Sequence, residues 1–438
     1  MRKDDVEQML ELIEHRGGYG QEVYQTKNAT FGIVWAEHEN KDVQEMEPKK
    51  SVWDAAGSCH FVRMDIQKDN ITLMRDKIGV VPLYYGKTRN KKLVFASEVK
   101  ALLPLTDKVK EFPRGSYFDG NQCKQFEIVR ERKKLSLTPE LIASKLCSLL
   151  AESVKKCIRE EMNIGAWLSG GLDSSIMSAL GCRYLDEFHT FSIGIHDSED
   201  VIAARIVADH IGSIHHETLV TIDDMIDVLP DVIYHLESFD ALLVRSSIMN
   251  YIVSREASKY VDAVFSGEGA DELFAGYEYI QSMKIDHITN EVIDLTKRLH
   301  NTALQRVDRS AAAHGITAYV RFLDPQIIDF ALRIPSKYKI IKGVEKWILR
   351  ESMKDYLPAD IIERPKSKFW QGSGVEDTIQ ELADNSISDY EFRKERLLPN
   401  GWTLNTKEEL FYYRIFEEHF GVLEDLSWMG RTKGAPRS

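Results

Sequence analysis

Apolar and polar positions follow two different patterns along this chain, and the change falls near residue 140. Before it, short runs rich in β-branched and aromatic residues lie at 30–36, 59–64, 70–74, 93–96 and 115–118, separated by turn-forming residues. That spacing predicts short strands in packed antiparallel sheets, with one helical stretch at 5–14. Residues 130–139 are polar and read as a linker. Thr138-Pro139-Glu140 then opens a helix, with proline at the first position, where its missing N–H costs nothing.

After residue 140 the periods alternate. A helix to about residue 160 leads to the apolar run 164–168, a short buried strand. Further strands are expected at 189–195, 214–217 and 261–265, with helices at 200–211 and through most of 223–254. Strand alternating with helix predicts a parallel sheet covered by helices on both faces. The remainder reads as mainly helical, without repeats or low-complexity segments.

Two glycine turns interrupt this pattern in the same way. Ser169-Gly170-Gly171-Leu172-Asp173-Ser174-Ser175 follows the first strand and opens a helix. Ser266-Gly267-Glu268-Gly269-Ala270-Asp271-Glu272 follows the strand at 261–265 and does likewise. A strand, a glycine turn and a helix start bring backbone N–H groups and the positive helix end to one small volume, which suits an anion. No Lys-Ser/Thr pair follows the first glycines, so this is not the Walker phosphate loop.

Composition narrows the class. The 438 residues suffice for two domains, with 43% hydrophobic and 29% charged residues. Lys+Arg 57 against Asp+Glu 69 gives a net charge of −12, which argues against a nucleic-acid surface. The five cysteines (Cys59, Cys123, Cys147, Cys157 and Cys182) form no CxxC pair, which fits a reducing compartment and gives no zinc pattern. The N-terminus carries no apolar signal core and no run approaches membrane length, so a cytoplasmic protein without membrane association is expected.

The first turn is similar to the loop of ATP pyrophosphatases, which split ATP between its α and β phosphates. Together, the two turns resemble those of the asparagine synthetase family. The likeness continues through Arg75-Asp76-Lys77-Ile78-Gly79-Val80-Val81-Pro82-Leu83-Tyr84-Tyr85, Phe95-Ala96-Ser97-Glu98-Val99-Lys100, Phe322-Leu323-Asp324 and Arg364-Pro365-Lys366. It implies an α/β protein. Residues 1–128 would be a truncated Ntn-type antiparallel β-sandwich, residues 129–139 a linker, and residues 140–438 an ATP-pyrophosphatase domain of the adenine nucleotide α-hydrolase type. It also implies an ATP-dependent, AMP-forming amide ligase acting on a small-molecule carboxylate, aspartate first, and ammonia. The rival reading is a related amide- or lactam-forming cyclase using another carboxylate and amine. A third is a non-catalytic regulatory protein, against which the intact acidic residues and lysine speak. The oligomeric state stays open, a homodimer included.

The resemblance also implies roles. Ser169, Gly170, Gly171, Ser174 and Ser175 would cradle pyrophosphate, and Asp173 and Asp271 would hold Mg2+. Leu168, Ile193, Ser266 and Gly267 would line the nucleotide pocket. Glu268 would serve the reacting centre, and Lys366, favoured over Lys368, would neutralise charge on the α-phosphate and acyl oxygen. Arg245 would clamp a substrate carboxylate.

The chain departs from the family in places. Leu242 and Leu243 stand where threonines are usual, and Thr317-Ala318-Tyr319-Val320-Arg321 replaces Glu-Ala-Arg-Val-Pro. Glutamine-dependent members begin with a nucleophilic Cys, whereas this sequence starts Met1-Arg2-Lys3. A degenerate glutaminase domain, kept for packing, is therefore expected.

Overall fold

The computed structural model describes residues 2–26, 29–39, 60, 62–67, 70–120, 122–159, 162–366 and 375–432, and among these, nine short strands and one α-helix build the N-terminal part. Cys59, Lys368 and part of the expected strand at 59–64 lie outside these. Helix α1 (Lys3–Glu11) buries Val6, Met9 and Leu10. The strands are β1 (Gly20–Gln25), β2 (Thr30–Trp35), β3 (Val62–Gln67), β4 (Asn70–Arg75), β5 (Tyr84–Lys87), β6 (Leu93–Ala96), β7 (Val109–Glu111), β8 (Ser116–Phe118) and β9 (Cys123–Gln125). They form antiparallel sheets in the orders β1-β2, β3-β4-β8-β9 and β6-β5-β7. Phe31, Met64, Leu73, Leu83 and Phe112 make a small core among these strands.

The Arg75–Tyr85 motif holds this unit together. Asp76 Oδ1 accepts N–H groups of Ile78 and Gly79 at 2.9 and 2.7 Å, shaping a tight turn. Gly79 sits at φ +77°, in the left-handed region that a side chain disfavours. Buried Arg75 donates to the carbonyls of Gly79 (3.0 Å), Val81 (2.9 Å) and Phe112 (2.7 Å) and meets Glu111 at 2.8 Å. These bonds pair most of the motif's buried polar groups, whereas Asp76 Oδ2 is buried without a hydrogen-bond partner.

Beyond a stretch without helix or strand, Thr138 caps α2 (Pro139–Lys155). The parallel sheet follows, and it settles the fold as α/β. Its strands are β10 (Ile164–Trp167), β11 (His189–Gly194), β12 (Ile214–Leu219), β13 (Ala263–Phe265) and β14 (Thr317–Tyr319), in the order β12-β11-β10-β13-β14. Every residue of β10 and β13 is buried, as expected for strands covered on both faces. Flanking helices include α3 (Leu172–Cys182), α4 (Glu199–Ile211), α5 (Leu229–Leu236), α6 (Ala241–Ala257), α7 (Ala270–Phe274), α8 (Ile285–Arg298), α9 (Ala303–Ala312), α10 (Trp347–Met353) and α11 (Lys407–Phe420). Strand β14 was not anticipated, because Thr317-Ala318-Tyr319 is too short to show a period. Among the described residues, no helix is long and apolar enough to cross a membrane.

Lys339 is 3% exposed and donates to the carbonyl of Leu273, at the end of α7, at 2.6 Å. Burial pushes its ammonium down to about 7, with Lys134 adding repulsion. Below that value both folded and unfolded chains are protonated, and the fold carries the full desolvation penalty. Between about 7 and the unfolded value near 10.4 only the unfolded chain binds the proton, so stability rises with pH by about 1.4 kcal/mol per unit. Lys339→Met should therefore be relatively more stable than wild type at pH 7 and lose that advantage by pH 9.5. Denaturant melts of the pair with parallel pH dependence would refute this.

Candidate active site

The connection leaving β10 leads to β11 on one side, whereas β13 and β14 extend the sheet on the other. Loops at the carboxyl ends of β10 and β13 thus diverge and leave a crevice, the usual ligand position in an open parallel sheet. Both glycine turns lie there.

The first turn is shaped by its own serines. Ser169 N–H donates to Ser174 Oγ at 3.2 Å, and Ser174 Oγ donates to the Gly171 carbonyl at 3.1 Å. Gly170 has φ +67°, and a β-carbon there would fall 2.5 Å from the Ala203 backbone on α4. The turn and α4 approach so closely that only glycine fits.

The second turn meets the first at Gly267. A β-carbon at Gly267 would lie 2.8 Å from Ser174 N and 2.9 Å from the Asp173 carbonyl carbon. Ser266 N–H is held by the Tyr319 carbonyl at 3.0 Å, and Gly269 at φ +97° swings the chain into α7. Asp173 and Asp271 each lie in the first turn of a helix, α3 and α7, and face one volume.

Between them stands Lys346. Its Nζ lies 2.5 Å from Asp173 Oδ2 and 2.6 Å from Asp271 Oδ1, and its side chain is 3% exposed. Lys346 caps α10 at φ +53°, a left-handed conformation costing about 1 kcal/mol for a residue with a β-carbon. Lys366 also contacts Asp271, but its side chain is 30% exposed. Burial alone would raise the Asp271 carboxyl, yet Lys346 and Lys366 outweigh it and hold the group below the usual range. For Asp173 burial wins and the shift is upward, with the Asp271 charge adding to it against Lys346. The two carboxylates bring Lys346 up in turn, despite its burial.

Glu268 pairs with Arg306 of α9, and Tyr277 donates to Glu272 at 2.5 Å. Burial first, then the neighbouring Glu268 and Asp271, raise the Glu272 carboxyl to about 7. The cavity enclosed by these groups measures about 570 Å³. Its walls include Leu168, Ser169, Gly171, Asp173, Ser174, Ile193, Ser266, Gly267, Glu268, Asp271 and Lys366, along with Leu242 and Leu243.

Three expected residues fall outside these walls. Gly170 packs on α4. Ser175 is fully buried within α3, and its N–H closes the first helical turn onto Gly171 at 3.0 Å. Arg245, expected as a substrate clamp, does not line the cavity and pairs with an acidic residue instead. Its guanidinium pairs with Glu408 of α11, with Nε at 2.6 Å, and Tyr412 donates to the same carboxylate at 2.8 Å. At 100° per residue, Leu242, Leu243, Ser246, Asn250 and Val253 share the α6 face that lines the cavity, and Arg245 lies well off it. The arginines that do line the cavity are Arg298, Arg306, Arg350 and Arg364.

Lys346 was missed from sequence. It lies outside both glycine turns, in Gly343-Val344-Glu345-Lys346-Trp347. The one signal was a lysine next to the apolar start of a buried helix, and that looks like an ordinary first-turn residue.

Family models match most of the chain: asparagine synthase at residues 145–294 and 280–432, and a glutamine amidotransferase domain at residues 42–132. The chain is 35% identical over 392 residues to glutamine-hydrolyzing asparagine synthetase B of Escherichia coli, covering 84% of this chain and 70% of that protein. It is 35% identical over 403 residues to a probable asparagine synthetase of Schizosaccharomyces pombe (83% and 72% covered). For asparagine synthetase 2 of Arabidopsis thaliana the figure is 33% over 391 residues (83% and 67%). Among solved structures, NMN synthetase from Francisella tularensis aligns over 66% of this chain and 98% of that one, at 13% identity and a TM-score of 0.31.

The geometry ranks the two lysines. Lys346→Met should slow pyrophosphate release from ATP by roughly a hundredfold or more, as for one preorganised electrostatic donor. Lys366→Ala, which removes a partly exposed contact to one aspartate, should cost less. Single-turnover pyrophosphate release with the accepted carboxylate compares them, and a larger loss in Lys366→Ala would return the leading role to that residue.

Proposed function

The chain belongs to the asparagine synthetase family, and from that premise we propose that it adenylates a small carboxylic acid, aspartate first, and passes the acyl group to free ammonia. The observation that carries this reading is the convergence of Asp173, Asp271 and Lys346 beside a serine–glycine turn at the carboxyl end of a parallel sheet.

A carboxylate does not react with an amine in water because its oxygen is a poor leaving group. In the proposed first step a carboxylate oxygen attacks the α-phosphorus of ATP. The bond from that phosphorus to the bridging oxygen breaks, and pyrophosphate leaves. N–H groups of the 169–175 turn receive the departing charge, and Lys346 follows it as a buried cation released from its aspartates. Asp173 Oδ1 is buried without a hydrogen-bond partner, so this site has a spare hard oxygen donor. That fits Mg2+, which takes one or two carboxylates and fills its shell with phosphate and water, as Asp173 and Asp271 would allow. When bound, the ion supplies charge neutralisation on the phosphates. In the second step the ammonia nitrogen attacks the acyl carbon. Glu268 accepts the proton it loses, and the carbon–oxygen bond to AMP breaks.

The same reading keeps residues 1–128 as a glutaminase-type unit without glutamine hydrolysis, 129–139 as a linker and 140–438 as the ligase domain. One observation favours the second reading, a different carboxylate. Leu242 and Leu243 line the cavity while Arg245 faces Glu408, so that wall is more apolar than a site built for a charged amino acid.

ATP–pyrophosphate exchange across a panel of carboxylates tests the proposal. Exchange should require a carboxylate and disappear in Asp173→Ala and Asp271→Ala. With aspartate and ammonium, asparagine, AMP and pyrophosphate should form in equal amounts, and glutamine alone should release no glutamate above a heat-killed blank. Exchange with a more apolar acid but not aspartate would favour the second reading, and no exchange with any acid would remove the ligase function.

A further inference from the structure

A second cluster of charges lies behind the cavity, where the N-terminal unit meets the parallel-sheet domain. Glu98, fully buried after β6, is met by His15 Nε2 at 3.0 Å, by Arg309 of α9 at 2.9 Å, and by Arg16 and Lys100. Arg309, 1% exposed, also holds Glu237 at 3.0 Å. Glu237 in turn accepts the N–H groups of Val99 and Lys100 at 2.9 and 2.6 Å. Asp308, beside Arg309, pairs with Arg16. Burial would raise the Glu98 carboxyl, but Arg309, Lys100 and Arg16 outweigh it and keep it well below the usual range.

The cluster reaches the cavity by two short routes. Arg306 and Arg309 are three residues apart on α9, so they share a helix face one turn apart. Arg306 pairs with Glu268 in the cavity while Arg309 pairs with Glu98 behind it. Glu237 itself sits at φ +57°, a left-handed conformation unusual for a non-glycine residue, just before Asp240. Asp240 caps α6 by accepting Leu243 N–H at 3.1 Å, and the first turn of α6 forms the apolar wall.

We propose that the N-terminal unit is a positioning frame for the ligase site, in which Glu98 fixes Arg309 and thereby the Arg306 that orients Glu268. Glu98, Arg16 and Arg309 are positioning residues in this arrangement, since they touch no substrate. A buried ion-pair network adds little net stability over apolar packing, but several cations on one carboxylate leave it few alternative geometries. The inference rests on the reading that Glu268 acts at the acyl centre.

The test is a double-mutant cycle in the full chain, using Arg309→Lys and the milder, partly exposed Arg16→Gln, each alone and combined with Glu268→Gln. Arg309→Lys should lower kcat for amide formation about tenfold or more with the KM for ATP within twofold, since lysine loses the two-carboxylate fork. Arg16→Gln should change the same quantities in the same direction by less. In the Glu268→Gln background neither should add a further loss. A wild-type kcat in both single variants, or losses that multiply fully with Glu268→Gln, would overturn the positioning proposal while leaving Glu268 catalytic. A silent Glu268→Gln would instead remove the reading of that residue and this inference with it. If Arg309→Lys does not fold, Arg16→Gln decides between these outcomes by the same criteria.

Discussion

Two buried carboxylates facing each other at the end of a sheet need a cation, and in this structure Lys346 meets that need. Asp173 comes from the turn after β10 and Asp271 from the turn after β13, so the lysine joins the two halves of the crevice. Left unpaired, carboxylates at this depth would each carry a large desolvation penalty. Much of the local geometry follows from keeping the three groups together. Gly267 lets the turns touch, Lys346 accepts a left-handed backbone, and Lys339 holds the end of the helix that carries Asp271.

The sequence made much of this legible, for physical reasons. The strands at β10, β11 and β13 show as short apolar runs because they are covered on both faces, and the glycine turns show because close backbone approach excludes side chains. In the N-terminal unit, β1, β5, β7 and β9 escaped notice. They are short or mostly exposed, as in Cys123–Gln125, so no period marks them. Lys346 escaped for another reason: its partners are far away in sequence, and nothing in its neighbours distinguishes it from a surface lysine. Arg245 lies on a helix beside the cavity, but its side chain pairs with Glu408, a partner far away in sequence that no local pattern announces. Proximity in sequence to a lining residue does not decide which way a helical side chain faces.

The remaining features suggest why the N-terminal unit stays attached. Both of its family-like segments make contacts beyond themselves: Tyr84 lies under Arg309 of α9, and Glu98–Lys100 reaches across to α9 and to the end of α5. Trp428, near the end of the chain, also packs edge-on against Tyr84 with ring centroids 6.2 Å apart, so both ends of the sequence converge on this unit. The cavity thus has one wall formed by the turns and Lys346, and on its other side α6 and α9, the latter in contact with Glu98 of the N-terminal unit.

On the proposed function, the 169–175 turn and Lys346 form one phosphate site. A crystal structure with Mg2+ and an ATP analogue blocked between its α and β phosphates tests it most directly. The expected result is β and γ phosphates on the N–H groups of that turn, Lys346 Nζ within hydrogen-bond distance of them, and Asp173 and Asp271 facing the metal. Phosphates bound elsewhere, with Lys346 still locked between its two aspartates, would contradict it.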